Sequence, residues 1–275
     1  MFGSKKGRIA AGVLAAGALL ALSACSSGGG GAFSTSSSGG SSSGDTVTIG
    51  SAAFGESEIL MQIYGQALAA NGVKVAYKPS IGQRDVYLKA LQDGSIDLIP
   101  EYSGNLLQFY DKNSTASSSE DVYAALNDAL PKGFEVLDQA KAQDADAYNV
   151  TKEFSDKYGV TATLKPISDS GGPLTVAALK NGDVQLADIY TTTPAIKDNG
   201  FVVLKDPKNL IAAQNILPLI NTKKASDKVK SVLDKVSAEL TTDDLITMNS
   251  ENQGDSKTQP DAVAKKWLQE HPIKG

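Results

Sequence analysis

Two tyrosines close two matching stretches of this 275-residue chain. Residues 90–102 read ALQDGSIDLIPEY and residues 178–190 read ALKNGDVQLADIY. Both begin Ala-Leu, carry Gly at the fifth place and end in Tyr. A third tyrosine, Tyr148, falls between them in DADAYNVTKEF. An aromatic face attracts a cation through its ring quadrupole, and several faces together suit a quaternary ammonium group, which offers no hydrogen-bond donor. The chemistry that Tyr102, Tyr148 and Tyr190 allow is therefore non-covalent capture of such a cation. For each tyrosine taken singly, half-buried packing at a strand end is the competing reading.

Reactive chemistry has little to work with. The only histidine, His271, lies four residues from the end of the sequence beside Pro272 and is expected to be solvated. With no central histidine, neither a Ser/His/Asp nor a Cys/His nucleophile arrangement can be assembled. Neither G-x-x-x-x-G-K-[ST] nor G-x-G-x-x-G occurs. The SGG at 170–172, ahead of Pro173, reads either as an anion-binding helix start or as a plain turn into a helix, the turn being favoured. An enzyme is not expected, nor a cofactor. The single cysteine, Cys25, permits no internal disulfide and no thiolate metal cluster.

The elements that position the tyrosines follow from periodicity. TVTIGSAA alternates as a strand. GESEILMQIYGQALAANG has helical spacing, acidic residues in its first turn and a closing Gly. VKVAYKPS, GQRDVYLKALQDG and SIDLIPEYSG continue as strand, helix and strand, the signature of a parallel sheet with helices on both faces. NLLQFYDKN and SSEDVYAALNDALPKG read as helices, the second with Ser/Glu/Asp capping. FEVLDQAKAQDADAYNVTKEF reads as strand, loop and strand. PLTVAALKNG is a helix, DVQLADIYT a strand, TPAIKDNG a short helix and FVVLKDP a strand. NILPLINTK adds an extended segment, and two helical stretches end the sequence. Ligands of open α/β sheets sit beyond the carboxyl ends of the strands. Tyr102 and Tyr190 are expected at those ends, facing each other if the two units belong to different lobes.

The first 24 residues read as a processing signal. Lys5, Lys6 and Arg8 precede an uncharged run from Ile9 to Leu22, which ends in LSAC. The run is short for a membrane span, which needs about 20 apolar residues. LSAC resembles the lipobox of bacterial lipoproteins, which implies cleavage before Cys25 and lipidation of its thiol. A cleaved secretory signal with an incidental Cys is the alternative. Residues 25–45 are Ser/Gly-rich and read as a flexible tether. The net charge of −5 and the lack of basic clusters argue against nucleic acid as a partner.

IGSAAFGESEIL, ALQDGSIDLIPEYSG, GGPLTVAALKNGDV and ADIYTTTPAIKDNGFVVLKDPKNL together resemble the substrate-binding lipoproteins of osmoprotectant ABC importers, the glycine betaine/choline/carnitine type. The resemblance implies an α/β, two-lobe type II periplasmic-binding-protein fold, here with an unusually small second lobe. It places lobe 1 at 46–145 and 213–275 and lobe 2 at 146–212. It implies capture of glycine betaine, choline or a similar solute in an aromatic cage between lobes. Delivery would be to a membrane permease and its ATPase, with the chain anchored by lipid at the outer face of the bacterial cytoplasmic membrane. Carried onto this sequence, the cage is Tyr102, Tyr148 and Tyr190, and Asn105 is a polar contact. The segment from Ala52 through Phe54 to Gly55 lines the cleft. The chain departs from the family twice. Gln214 and Asn215 stand where some relatives have a fourth cage tyrosine. A segment that in relatives carries a further strand, a helix and a carboxylate-holding residue (often Arg) is missing after the first crossing. Two other readings remain: a receptor for another small polar solute, and a non-transport interaction or scaffold lipoprotein.

Overall fold

The structure, a computed structural model, describes residues 46–145, 151–169 and 171–274. Strand β1 (Thr46–Gly50) leads into helix α1 (Gly55–Ala70), β2 (Lys74–Lys78), α2 (Arg84–Gln92) and β3 (Leu98–Tyr102), as the periodicity predicts. Helices α3 (Ser103–Tyr110) and α4 (Ser119–Ala129) follow, then a short β4 (Phe134–Val136). Three helices come next: α5 (Thr151–Tyr158), α6 (Pro173–Lys180) and α7 (Pro194–Asp198). The chain then returns through β5 (Ile216–Asn221) and ends in α8 (Asp227–Glu239), α9 (Thr242–Gln253) and α10 (Pro260–Glu270).

The sheet order is β2-β1-β3-β5-β4. β1 runs parallel to β2 and β3, while β5 runs antiparallel to β3 and β4, so the sheet is mixed rather than wholly parallel. Both faces are covered, and the period of two divides each inner strand between them. In β5, Ile216 and Ile220 join the α1/α8/α9/α10 core, whereas Leu217 and Leu219 join the α2/α3/α4 core. In β3, Leu98 and Tyr102 face the first core and Ile99 the second. β1 pairs with β3 only at Ile49↔Leu98, so β3 runs on past its neighbour. That overrun carries Tyr102 towards the N-terminus of α1.

Three helix starts among the described residues are fixed by side-chain caps. Ser118 accepts from Asp121 N ahead of α4, as expected of its capping pattern. Ser226 caps α8, and Thr241 with Asp244 forms a capping box that starts α9.

The region 151–212 departs from the expected pattern. Residues 184–190 and 201–207 are strands in neither case, and the described end of the segment expected to follow Tyr148 as a strand is the helix α5. An extended segment needs a neighbour to satisfy its backbone and cover a face, and no described strand lies beside these two. Among the described residues of this region only Thr175, Ala178 and Thr192 are buried. Leu164, Leu174, Leu186, Val202, Val203 and Leu204 are exposed. The region is tied down instead by polar contacts. Lys157 Nζ donates to Asn209 O at 2.9 Å, Ile211 N to Asp206 Oδ2 at 2.8 Å, and the Tyr158 hydroxyl bonds Asp206. Among the described residues no helix is long and apolar enough to cross a membrane.

Candidate ligand-binding site

Tyr102 ends β3 with its ring buried and its hydroxyl donating to Glu56 Oε1 at 2.7 Å. Glu56 stands in the first turn of α1, directly after Phe54 and Gly55. The Phe54 ring lies 6.1 Å from that of Tyr102, tilted by 35°, and is 46% exposed, so it forms the wet edge of an otherwise buried aromatic pair. Gly55 lets α9 approach closely: a Cβ there would meet Asn252 Oδ1 of α9 at 2.4 Å, so that side chain would have to move. Ala52 is buried in the turn before α1, its N–H held by Ser57 Oγ at 2.9 Å.

Glu56 gathers donors from three further elements. Tyr102 comes from β3, and Asn249 of α9 donates through Nδ2 to Oε2 at 2.6 Å. The Thr192 side chain, from the loop before α7, also hydrogen-bonds the carboxylate. Burial pushes the Glu56 pKa above the usual carboxylate range, against the pull of these three hydrogen bonds. Desolvation first, and then the negative charges of Glu56, Asp144 and Glu101, hold the Tyr102 hydroxyl well above its ordinary pKa. Tyr102 is therefore a neutral donor throughout the physiological range.

The second matching stretch reaches this cluster through the residues just after its tyrosine. Tyr190 is half-buried and does not end a strand. Thr191 Oγ1 donates to Gln143 O at 3.2 Å and accepts from Ala145 N at 3.1 Å. Thr192 N donates to Asp144 Oδ1 at 3.3 Å, and Thr192 O accepts from Asn249. The loop that carries Tyr190 is thus docked against the turn at 143–145 and against α9. Tyr148 and Cys25 lie outside the described residues.

The polar residues expected to touch ligand are engaged within the protein. Gln214 Oε1 accepts from Asn105 N at 2.9 Å, and Gln214 Nε2 donates to Asn105 Oδ1 at 3.2 Å. Asn215 donates to Ala140 O at 2.8 Å and accepts from Ser119 Oγ at 2.8 Å, bracing β5 against the 139–142 segment. Behind Tyr102, the buried Glu101 is clamped by Arg84, whose Nε and Nη2 each lie 3.1 Å from one carboxylate oxygen, and by Tyr87 OH at 2.8 Å. That clamp fixes the end of β3.

The anion-binding reading of SGG does not hold. The first amides of α6 are taken by Asp169, which accepts from Leu174 N at 2.6 Å and Thr175 N at 3.1 Å. His271 is not simply solvated either. Its ring stacks on Trp267 with centroids 4.5 Å apart, with Glu239 3.6 Å from one ring nitrogen and Asp244 3.8 Å from the other. Among the described residues no cluster of three His, Cys, Asp or Glu side chains could hold a metal ion. A cavity of about 280 Å³ lined by Tyr123, Asp138, Gln139, Asp234 and Ala238, and one of about 160 Å³ beside Trp267, lie apart from Tyr102. The first of these spends its one aromatic hydroxyl on Leu137 O. Neither gathers aromatic faces as the Tyr102 region does.

Sequence reasoning missed Glu56, Asn249 and Thr192. An acidic residue in a first helical turn is ordinarily read as a partner for the helix dipole. The one signal available was Asn249, a poor helix former in a helix interior.

The chain matches the OpuAC family, the substrate binding domain of ABC-type glycine betaine transport systems, over residues 45–169 and 161–270. It belongs to that family, whose members are extracytoplasmic solute-binding proteins rather than enzymes. Among solved structures it is similar to a glycine betaine/carnitine/choline ABC transporter protein, at 18% identity over 82% of this chain and 98% of that one, with a TM-score of 0.69. Apo YehZ from Escherichia coli is similar at 20% identity over 82% and 99%, with a TM-score of 0.67. An ABC-transporter choline binding protein in complex with choline is similar at 12% identity over 83% and 89%, with a TM-score of 0.53. These likenesses are of fold: the α/β architecture is that of the periplasmic binding proteins.

Proposed function

We propose that this chain captures a quaternary ammonium solute against Tyr102 and hands it to the permease of an ABC importer. The observation that carries the reading is the Tyr102–Glu56 pair. An aromatic ring and a buried carboxylate lie one hydrogen bond apart, at 2.7 Å, at the carboxyl end of a central strand. A ring face and an anion together are what a donor-less cation needs. The family match supports the transport role, and the relatives with choline or glycine betaine in their names support the ligand class.

In this reading Tyr102 and Phe54 form one wall, with Ala52 and Gly55 in its floor. Tyr190 and Tyr148 supply the opposite wall, from a small lobe at 146–212 that hinges on a larger one at 46–145 and 213–275. Asn105, Gln214 and Asn215 shape the floor of the cleft. Ligand shifts the population towards a closed form that the permease recognises. Lipid on Cys25 and the tether at 25–45 hold the body at the outer membrane face while leaving it free to dock.

Titration calorimetry of the full chain with glycine betaine, choline, carnitine and proline tests the reading. At least one quaternary ammonium compound is expected to bind, with a loss of about tenfold or more in the Tyr190→Ala variant. Binding of proline alone, or of none of the four, contradicts it.

A further inference from the structure

We infer that the ligand selected by this site is a net monocation, a quaternary ammonium alcohol of the choline type, rather than a zwitterion that carries its own carboxylate. The inference rests on the capture reading above and deepens it.

Three observations converge. The first is the charge beside Tyr102. Glu56 is only 4% exposed, and the groups that hydrogen-bond its carboxylate are all neutral: a phenol, an amide and a hydroxyl. Among the described residues no ion pair reaches it. A buried carboxylate without a cation is costly, and burial accordingly disfavours its ionised form. A ligand cation arriving at the Tyr102 ring would supply the missing charge. Asp144, whose Oδ1 accepts from Thr192 N at 3.3 Å, adds a second negative group on the same side.

The second is the shortage of arginine to grip a ligand carboxylate. Beyond Arg8, Arg84 is the only arginine in the sequence. Its Nε and Nη2 already hold Glu101, at 3.1 Å each. Bidentate recognition of a second carboxylate, the geometry for which arginine is suited, has no other arginine among the described residues to perform it.

The third is the state of the neutral donors. The Gln214 amide nitrogen is committed to Asn105 at 3.2 Å, and that of Asn215 to Ala140 O at 2.8 Å. Each of these amides has one hydrogen beyond that contact, and a ligand carboxylate that took it would meet the field of Glu56 and Asp144. A hydroxyl, which both donates and accepts, meets no such opposition.

The test is calorimetry of the full chain with choline and with glycine betaine, each on the native protein and on Glu56→Gln. The glutamine amide keeps the size of the side chain and an acceptor for Tyr102. Asn249 Oδ1, buried and without a partner in the native protein, can turn to receive its N–H. Choline is expected to bind the native protein at least tenfold more tightly than glycine betaine. Glu56→Gln is expected to weaken choline by tenfold or more and glycine betaine by a clearly smaller factor, narrowing the ratio. Glycine betaine binding as tightly as choline to the native protein overturns the inference and leaves the capture reading standing, and that comparison needs no variant. An unchanged ratio in Glu56→Gln also overturns it. If neither compound binds, the capture reading fails and takes this inference with it.

Discussion

Glu56 and Glu101 flank Tyr102, and both are buried, at 4% and 0% exposure. Their settings are opposite. Glu101 has a guanidinium in bidentate contact, a tyrosine hydroxyl and the Tyr102 amide, so its charge is answered within the fold. Glu56 has donors but, among the described residues, no cation. The first is a structural clamp, and the second belongs to the proposed site. Removing one partner of a buried pair leaves an uncompensated charge, at a cost of about 3–5 kcal/mol. Arg84→Ala is therefore expected to lower the unfolding free energy by about 3 kcal/mol in urea denaturation, since Arg84 itself keeps 26% of its side chain in water. A loss below about 1 kcal/mol would show that Glu101 does not depend on the clamp. Tyr102 was legible in the sequence because a Gly turn, an apolar run and a second turn bracket it. Glu56 was not, because three-dimensional burial alone distinguishes it from a solvated first-turn acid.

The two matching stretches behave alike as far as their turns. α2 and α6 both close on a glycine in the left-handed region, Gly94 and Gly182, each with φ of +77°. There the likeness stops. Residues 98–102 enter the sheet between β1 and β5 with all five positions buried, whereas 184–190 find no strand beside them. Local pattern encodes the helix and the turn, but a strand is completed by its neighbours. That is why β3 was legible and the second strand was not. Hydrogen exchange separates the two cases: the backbone amides of Ile99, Glu101 and Tyr102 are expected to exchange at least about a hundredfold more slowly than those of 184–190 in the unliganded protein. Equal protection would mean that 184–190 is paired after all.

At the scale of the molecule, the sheet and its two layers of helices make a well-packed half whose order the sequence announced nearly element by element. The other half of the expected architecture is held by hydrogen bonds to the first rather than by a core of its own. Only one of its described apolar side chains, Ala178, is buried. Such a region gains little by standing apart, and the contacts of Thr191 and Thr192 with 143–145 and Asn249 place it against the Tyr102–Glu56 pair. Capture of a cation between these parts is the central claim, and a crystal structure of the full chain soaked with choline tests it most directly. The quaternary nitrogen is expected within about 6 Å of the Tyr102 ring centroid, on the side of Glu56 and facing the loop that carries Tyr190. Choline bound away from Tyr102, in the cavity beside Tyr123 for example, would contradict the account.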